Sequence, residues 1–433
     1  MKKLSYLMIF LCCLNSIDIH AQDTLRLSEA VSVALGNSLS LQLANNNLDI
    51  ADINNNYGVA GGLPVVTANV QDNEQITSVN QKLNTGTVIK RRNATANIIN
   101  ANVTSNIILY NAGRIVATKQ RLAQLSLLSK DQLNSEVQAV IAAVSIGYYD
   151  VVRQQNFMRT IDTSIAASDK QLQLIKVRQQ VGLANNADLF QAQIDLNVLQ
   201  QSRLAQELII SQAKTGLLRL LTLPADSSII INDTIFVDGQ LMLTDILTGL
   251  DKNADVLAAE KLIAVNELRV KEIGAQRYPT VRGIAGYNFL RNNASAGQLL
   301  LNQNFGPVVG VGVAIPIYNG SIFKRQKDVA RIDVRSAGLQ RETIVQNLRA
   351  GVVQQYQAYT NSINQLDSAA SNYTLSKKLL DLTLLRYQYR QATILEVKSA
   401  QQSFELSGFR LVNLSFAAKA AEILLKQAAN LLQ

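Results

Sequence analysis

A chain of 433 residues that is 48% hydrophobic but only 5% aromatic, with no Trp and five Pro, suits helices that touch through Leu, Ile, Val and Ala better than a compact sandwich. Its single histidine, His20, and both cysteines, Cys12 and Cys13, lie in the first 20 residues, so the remainder has no imidazole or thiol for nucleophilic dyads or for zinc and copper sites, and no Gly-rich phosphate loop follows. The net charge of +9 is dispersed, and its one tight run, Lys90-Arg91-Arg92, has no interleaved aromatics, which argues against nucleic acid as a partner.

The opening "MKKLSYLMIFLCCLNSIDIHAQ" sets Lys2 and Lys3 before an apolar run and a small residue, Ala21, the order of a secretory signal peptide over residues 1–21. The run is too short to span a bilayer as an anchor. Removal of that segment would take away every cysteine and histidine. We therefore expect no enzyme, no cofactor and no metal site.

Beyond it the chain repeats. Leu27-Ser28-Glu29-Ala30 has a counterpart in Leu243-Thr244-Asp245-Ile246, each a hydroxyl followed by an acid, as suits a helix start. "LPVVTANV" from Leu63 matches "YPTVRGIA" from Tyr278, "LYNAG" from Leu109 matches "IYNGS" from Ile317, and "VRQQVGLANNADLFQAQ" from Val177 matches "LRYQYRQATILEVKSAQ" from Leu385. The spacing predicts two tandem units, residues 22–223 and 244–433, joined by a linker over 224–243. Each reads helix, two strands, then two long helices. Proline supports this: Pro64 and Pro279 start strands, Pro307 and Pro316 lie in the last strand and Pro224 ends the first unit, while the long stretches after Gly113 and Gly320 have none. In the second stretch Val345, Leu348, Val352, Tyr356, Tyr359 and Ile363 step by three or four residues, the seam of a coiled coil.

Period-two alternation places strands at about 63–73, 95–110, 279–290 and 305–317, with polar loops over 71–93 and 291–304. In the second strand Ile99, Ala101, Val103, Ile107 and Leu109 alternate with Asn100, Asn102, Thr104 and Asn106. A soluble sheet with one wet face gives this pattern. So does a transmembrane barrel, whose strands alternate lipid-facing and lumen-facing positions, and four strands are too few to close one.

With these features in order the chain resembles the TolC-like outer membrane efflux proteins, on the opening "LRLSEAVSVALGNS", the paired "LYNAG" and "IYNGS", and the hairpin "VGLANNADLFQAQ". The resemblance implies a mainly α chain with a membrane β-barrel part: a homotrimer with four strands per chain in a twelve-stranded barrel continuous with an α-helical coiled-coil tunnel. It implies an outer-membrane location with the tunnel in the periplasm. It also implies that the protein is the exit duct of a tripartite efflux or type I secretion system, with a periplasmic adaptor, an inner-membrane transporter and outer-membrane lipid as partners. Tyr110, Asn111 and Gly113, and Tyr318, Asn319 and Gly320, would then turn the chain from barrel to tunnel. The hairpin tips fall at about 181–187 and 389–395, with Val181, Gly182 and Leu183 expected to meet the adaptor. Tyr387 and Glu396 match a gate of the family, and Asp188 matches a carboxylate that holds such a tyrosine, whereas Ala392 and Ser399 stand where that gate has an arginine and a second acid. The alternative is an exported coiled-coil scaffold that binds partners and conducts nothing.

Overall fold

Proline keeps out of the long helices, as the sequence predicts, and Pro307 lies within an edge strand. In the computed structural model, which describes residues 24–432, Pro64 immediately precedes strand β1 (Val65–Lys82) and Pro279 precedes β3 (Thr280–Ala294). Strands β2 (Val88–Tyr110) and β4 (Leu301–Ala314) complete one antiparallel sheet in the order β1-β2-β3-β4, so β1 and β4 are its two edges. Helices α1 (Leu27–Asn37) and α2 (Leu39–Asn54) precede the first strand pair. The long pair α3 (Arg114–Gln180) and α4 (Asn186–Leu220) follows it. The second copy has α5 (Leu243–Gly249) and α6 (Ala254–Ala275) before its strands, and α7 (Ile322–Gln388) and α8 (Ile394–Ala428) after them. The expected signal peptide, with His20, Cys12 and Cys13, lies outside the described residues.

The repeat is regular in its second half. α3 and α7 are each 67 residues long and α4 and α8 each 35, and every one of their boundaries is offset by 208, as from Arg114 to Ile322 and from Leu220 to Ala428. Proline-free sequence permits such helices, and tertiary packing of their apolar stripes stabilises them.

Two compact units emerge. One gathers the residues up to Leu43, Asn134–Ala254 and Val345 onward; the other holds Ala44–Leu133 and Asp255–Ile344, and so contains the sheet. The core of the first unit is itself duplicated. One cluster contains Ala30, Ala34, Val144, Val151, Leu217 and Leu221. The other contains Ile246, Leu250, Val352, Tyr359, Leu425 and Ala429, the same positions in the second copy. The second cluster carries more side-chain volume: Ala30, Ala34 and Val151 give way to the larger Ile246, Leu250 and Tyr359, while Leu221 alone of these positions shrinks, to Ala429. The seam of α7 is confirmed, with Val352 and Tyr359 buried and Leu348, Tyr356 and Ile363 packed around them.

Several boundaries differ from expectation. Two helices, not one, precede each strand pair. The strands run past the predicted 63–73 and 95–110, so the first loop shrinks from 71–93 to residues 83–87 and the second from 291–304 to 295–300. Polar residues hide the strand ends here, because both faces of an extended hairpin beyond an apolar zone are polar. Lys90 and Arg91 are therefore paired in β2 with Asn80 and Val79. β4 ends at Ala314, short of the predicted 317, since the Pro316 ring removes a backbone donor. The tips span 181–185 and 389–393, and the segment without helix or strand between the copies spans 221–242.

Candidate functional site

The strand register sorts the sheet into two unlike faces. Across the four strands Val70, Ala101, Phe289 and Phe305 form one row, Ala68, Val103, Tyr287 and Pro307 the next, and Val66, Ser105, Ala285 and Val309 a third. The alternate rows are polar or small apart from Val308: Asn69, Asn102, Asn288 and Gly306, then Thr67, Thr104, Gly286 and Val308. Side chains lace this second face, with Asn69 Nδ2 donating to Asn102 Oδ1 at 3.2 Å and the Thr67 and Thr104 hydroxyls 3.1 Å apart.

The apolar face is open. Val309 is 84% exposed, Val70 78% and Val311 68%, where a soluble sheet would cover such residues with helices. On β4 the apolar row runs from Phe305 to Val313, about the nine residues that a tilted strand needs to cross a hydrocarbon core. Beyond it the rows turn charged, as Gln303, Arg291, Ile99 and Asp72 align and Asn97 Nδ2 donates to both Asp72 (2.7 Å) and Glu74 (2.9 Å). Among the described residues no helix is long and apolar enough to cross a membrane.

At the other end of the sheet, both junctions with the long helices use two successive left-handed residues, Ala112 (φ 54°) and Gly113 (φ 77°) in the first copy and Gly320 (φ 67°) and Ser321 (φ 61°) in the second. Asn111 starts α3: its Oδ1 accepts from the Ile115 N–H at 3.3 Å and its carbonyl from the Arg114 N–H at 3.1 Å. Asn319 repeats the second contact, accepting from the Ile322 N–H at 3.3 Å. Tyr110 and Tyr318 are exposed.

The hairpin tips close alike. At the first, the Leu183 N–H donates to the Arg178 carbonyl (2.7 Å) and the Gly182 N–H to the Gln179 carbonyl (3.0 Å), with Gly182 left-handed at φ 75°. At the second, the Gln391 N–H donates to the Arg386 carbonyl (2.8 Å) and the Arg390 N–H to the Tyr387 carbonyl (3.1 Å), with Arg390 left-handed at φ 63°. Val181 and Leu183 are exposed at 63% and 54% although apolar.

Of the expected gate residues, Tyr387 is buried among Leu172, Ile175, Ala192, Leu196 and Val397. Burial is the main cause that pushes its hydroxyl above the usual tyrosine range, with Asp188 adding to the shift and Arg178 opposing it. Asp188 and Glu396 both sit at helix starts. The Asp188 N–H donates to Asn185 Oδ1 at 2.7 Å, while Glu396 forms a capping box with Thr393 and is exposed.

Arg178 joins the expected gate residues, a neighbour that the sequence pattern does not single out. Its guanidinium lies 4.4 Å from the centre of the Tyr387 ring and donates to the carbonyls of Tyr387 and of Gln388, the latter at 3.3 Å. The internal match of Arg178 with Arg386 was its only signal. Among the described residues no group of His, Cys, Asp or Glu is arranged to hold a metal ion.

Comparison with known proteins fits this geometry. Residues 248–431 match the family model described as outer membrane efflux protein. The outer membrane protein TolC of Vibrio cholerae serotype O1 is 23% identical over 273 residues, 61% of this chain and 61% of the relative, so the match spans less than two thirds of that protein. The outer membrane protein VceC of Vibrio cholerae shares the fold with a TM-score of 0.76 at 18% identity, over 93% of this chain and 96% of the other. The CmeC outer membrane channel of Campylobacter jejuni does so with a TM-score of 0.76 at 15% identity, over 93% and 85%.

Proposed function

We propose that the chain is a TolC-like outer membrane efflux protein and serves as the outer-membrane exit duct of a tripartite efflux or type I secretion system. The observation that supports this most directly is the open apolar face shared in register by all four strands. Such a face is stable in contact with lipid and costly in water. Four strands leave two unpaired edges, and closed barrels need about eight strands or more, so several copies must pair edge to edge; the resemblance to the family sets their number at three, for twelve strands and no edge.

In this reading outer-membrane lipid surrounds the apolar rows, the Asn and Thr rows face the lumen, and the helical tunnel stands in the periplasm. A periplasmic adaptor meets Val181, Gly182 and Leu183 at the tip, and an inner-membrane transporter supplies the energy and selects the cargo. Conduction is passive. Tyr387, Glu396 and Asp188 form the periplasmic constriction, with Arg178 holding Tyr387 in place. The turns at Tyr110, Asn111 and Gly113 and at Tyr318, Asn319 and Gly320 mark the membrane boundary.

Fractionation and mass measurement test the proposal. The protein should sediment with the outer membrane, resist high-salt extraction, and emerge in detergent at three chains per particle. Release by salt, or a monodisperse monomer in mild detergent, would favour the scaffold reading instead.

A further inference from the structure

A cavity of about 530 Å³ lies between the end of α6 and the start of α7, lined by Arg277, Lys324, Lys327 and Arg331 together with Ile317 and Tyr318. Its charge is one-sided. Asp328 is the lone acid in the lining, and Arg331 engages it at 3.2 Å. Lys324 and Lys327 form no ion pair among the described residues. Arg277 is stacked 4.9 Å over the Tyr278 ring and donates to its hydroxyl at 2.8 Å, which fixes the guanidinium at the rim. The N-terminal end of the α7 dipole adds positive potential to these four cations.

The apolar part of the lining sets the depth. Ile315 and Ile317 continue the β4 row of Val309, Val311 and Val313, and Ile317 and Tyr318 are 95% and 84% exposed. The cavity thus begins where the apolar band of the sheet ends, in the layer where headgroup phosphates meet acyl chains and where Tyr is favoured. Unpaired lysines suit a phosphate as point charges, and basic residues immediately beside a membrane segment attract anionic lipid.

We propose that this cavity binds the phosphate headgroup of an anionic phospholipid of the periplasmic leaflet, with Lys324 and Lys327 as its principal contacts and Ile317 against the acyl chains. The inference rests on the membrane reading above. Full-length protein in detergent is exchanged into mixed micelles containing phosphatidylglycerol or phosphatidylcholine, and lipid retained per chain is counted by native mass spectrometry. The parent should prefer phosphatidylglycerol and release it in high salt. Lys324→Gln with Lys327→Gln should weaken that retention roughly thirtyfold, and Lys324→Arg with Lys327→Arg should preserve it. Equal retention of the two lipids, or parent-level retention by the Gln variant, overturns the site. Displacement of phosphatidylglycerol by lipid A overturns the assignment to the periplasmic leaflet. Flotation with vesicles separates this from the broader reading: a chain that floats without lipid preference keeps the duct and loses the site, whereas one that never floats loses both.

Discussion

Asp188 and Glu396 are the same residue in two copies of one hairpin. Each is the third residue of its helix, and each backbone N–H donates to the capping side chain three residues earlier, Asn185 at 2.7 Å and Thr393 at 3.2 Å. The carboxylates differ. Glu396, one methylene longer, reaches back to the Thr393 N–H at 2.5 Å and to its hydroxyl at 3.0 Å, and these bonds hold its carboxyl below the usual range. The folded pKa is depressed, so this contribution to the start of α8 is present above the ordinary carboxylate range and is lost as pH falls through the lowered value.

That separation of roles gives the first prediction. Glu396→Gln keeps the capping-box geometry and removes only the charge. In planar bilayers it should weaken the cation preference of single channels without changing the particle mass. Arg178→Ala should raise conductance more than Asp188→Asn, because Arg178 grips the carbonyls of Tyr387 and Gln388 while Asp188 acts on Tyr387 only through its charge. Parental selectivity and conductance in all three variants would place the constriction elsewhere.

The tips supply a stability test. Gly182 and Arg390 occupy the same left-handed closing position, where a side chain costs about 1 kcal/mol or more in backbone energy. A Cβ on Gly182 would meet nothing within 4 Å, so the cost of Gly182→Ala is purely conformational. Thermal melts of the detergent particle should show Gly182→Ala lower and Arg390→Gly higher than the parent. The opposite order would mean that the Arg390 side chain stabilises its tip by more than its backbone costs.

The sequence made the second half of each copy legible because proline-free helical periodicity and paired turn residues are local signals. Gly182, Asp188 and the Tyr-Asn-Gly turn could be read for the same reason. The strand ends could not, since Asp72, Glu74 and Lys90 continue an extended hairpin whose polar faces look like loop. Arg178 and the four cations around the junction cavity come together only through folding. No spacing in the chain announces that Arg277 and Lys324, 47 positions apart, line one cavity.

Leu183 carries the third prediction. Capping accounts for its backbone, which donates to the Arg178 carbonyl, but not for an apolar side chain 54% exposed at a turn. Leu183→Asp should abolish export in cells that supply the native adaptor and transporter, while the purified particle keeps three chains and its melting temperature. Unchanged export would remove the adaptor contact from this tip.

The segment over residues 221–242 has neither helix nor strand and is clasped by side chains, which yields the last prediction. The Tyr148 hydroxyl lies 3.1 Å from both the Leu25 carbonyl and the Asp233 carboxylate, which share its single proton, and Gln155 Nε2 donates to the Ile231 carbonyl at 3.0 Å. The Tyr359 hydroxyl donates to the Asp238 carbonyl, while the Asp238 N–H donates to Glu422 Oε2 at 3.0 Å. Glu422, 2% exposed, is held between Lys419 at 3.0 Å and Lys426 at 2.8 Å. Burial, then the bond to Asp233, raises the Tyr148 pKa; for Lys426 burial acts downward, but Glu422 and Asp238 outweigh it and the shift is upward. Both folded values exceed the unfolded ones, so both contributions are complete at neutral pH and are lost as pH rises beyond the ordinary tyrosine and lysine range. Melting temperature should therefore fall steeply in alkali, and Tyr148→Phe should blunt that fall while lowering stability at neutral pH. Glu422→Ala leaves two lysines facing each other in a largely buried site and should cost about 3 kcal/mol at neutral pH. A neutral-pH melting temperature equal to the parent's in the Glu422→Ala variant would show that the segment is held by its apolar contacts alone.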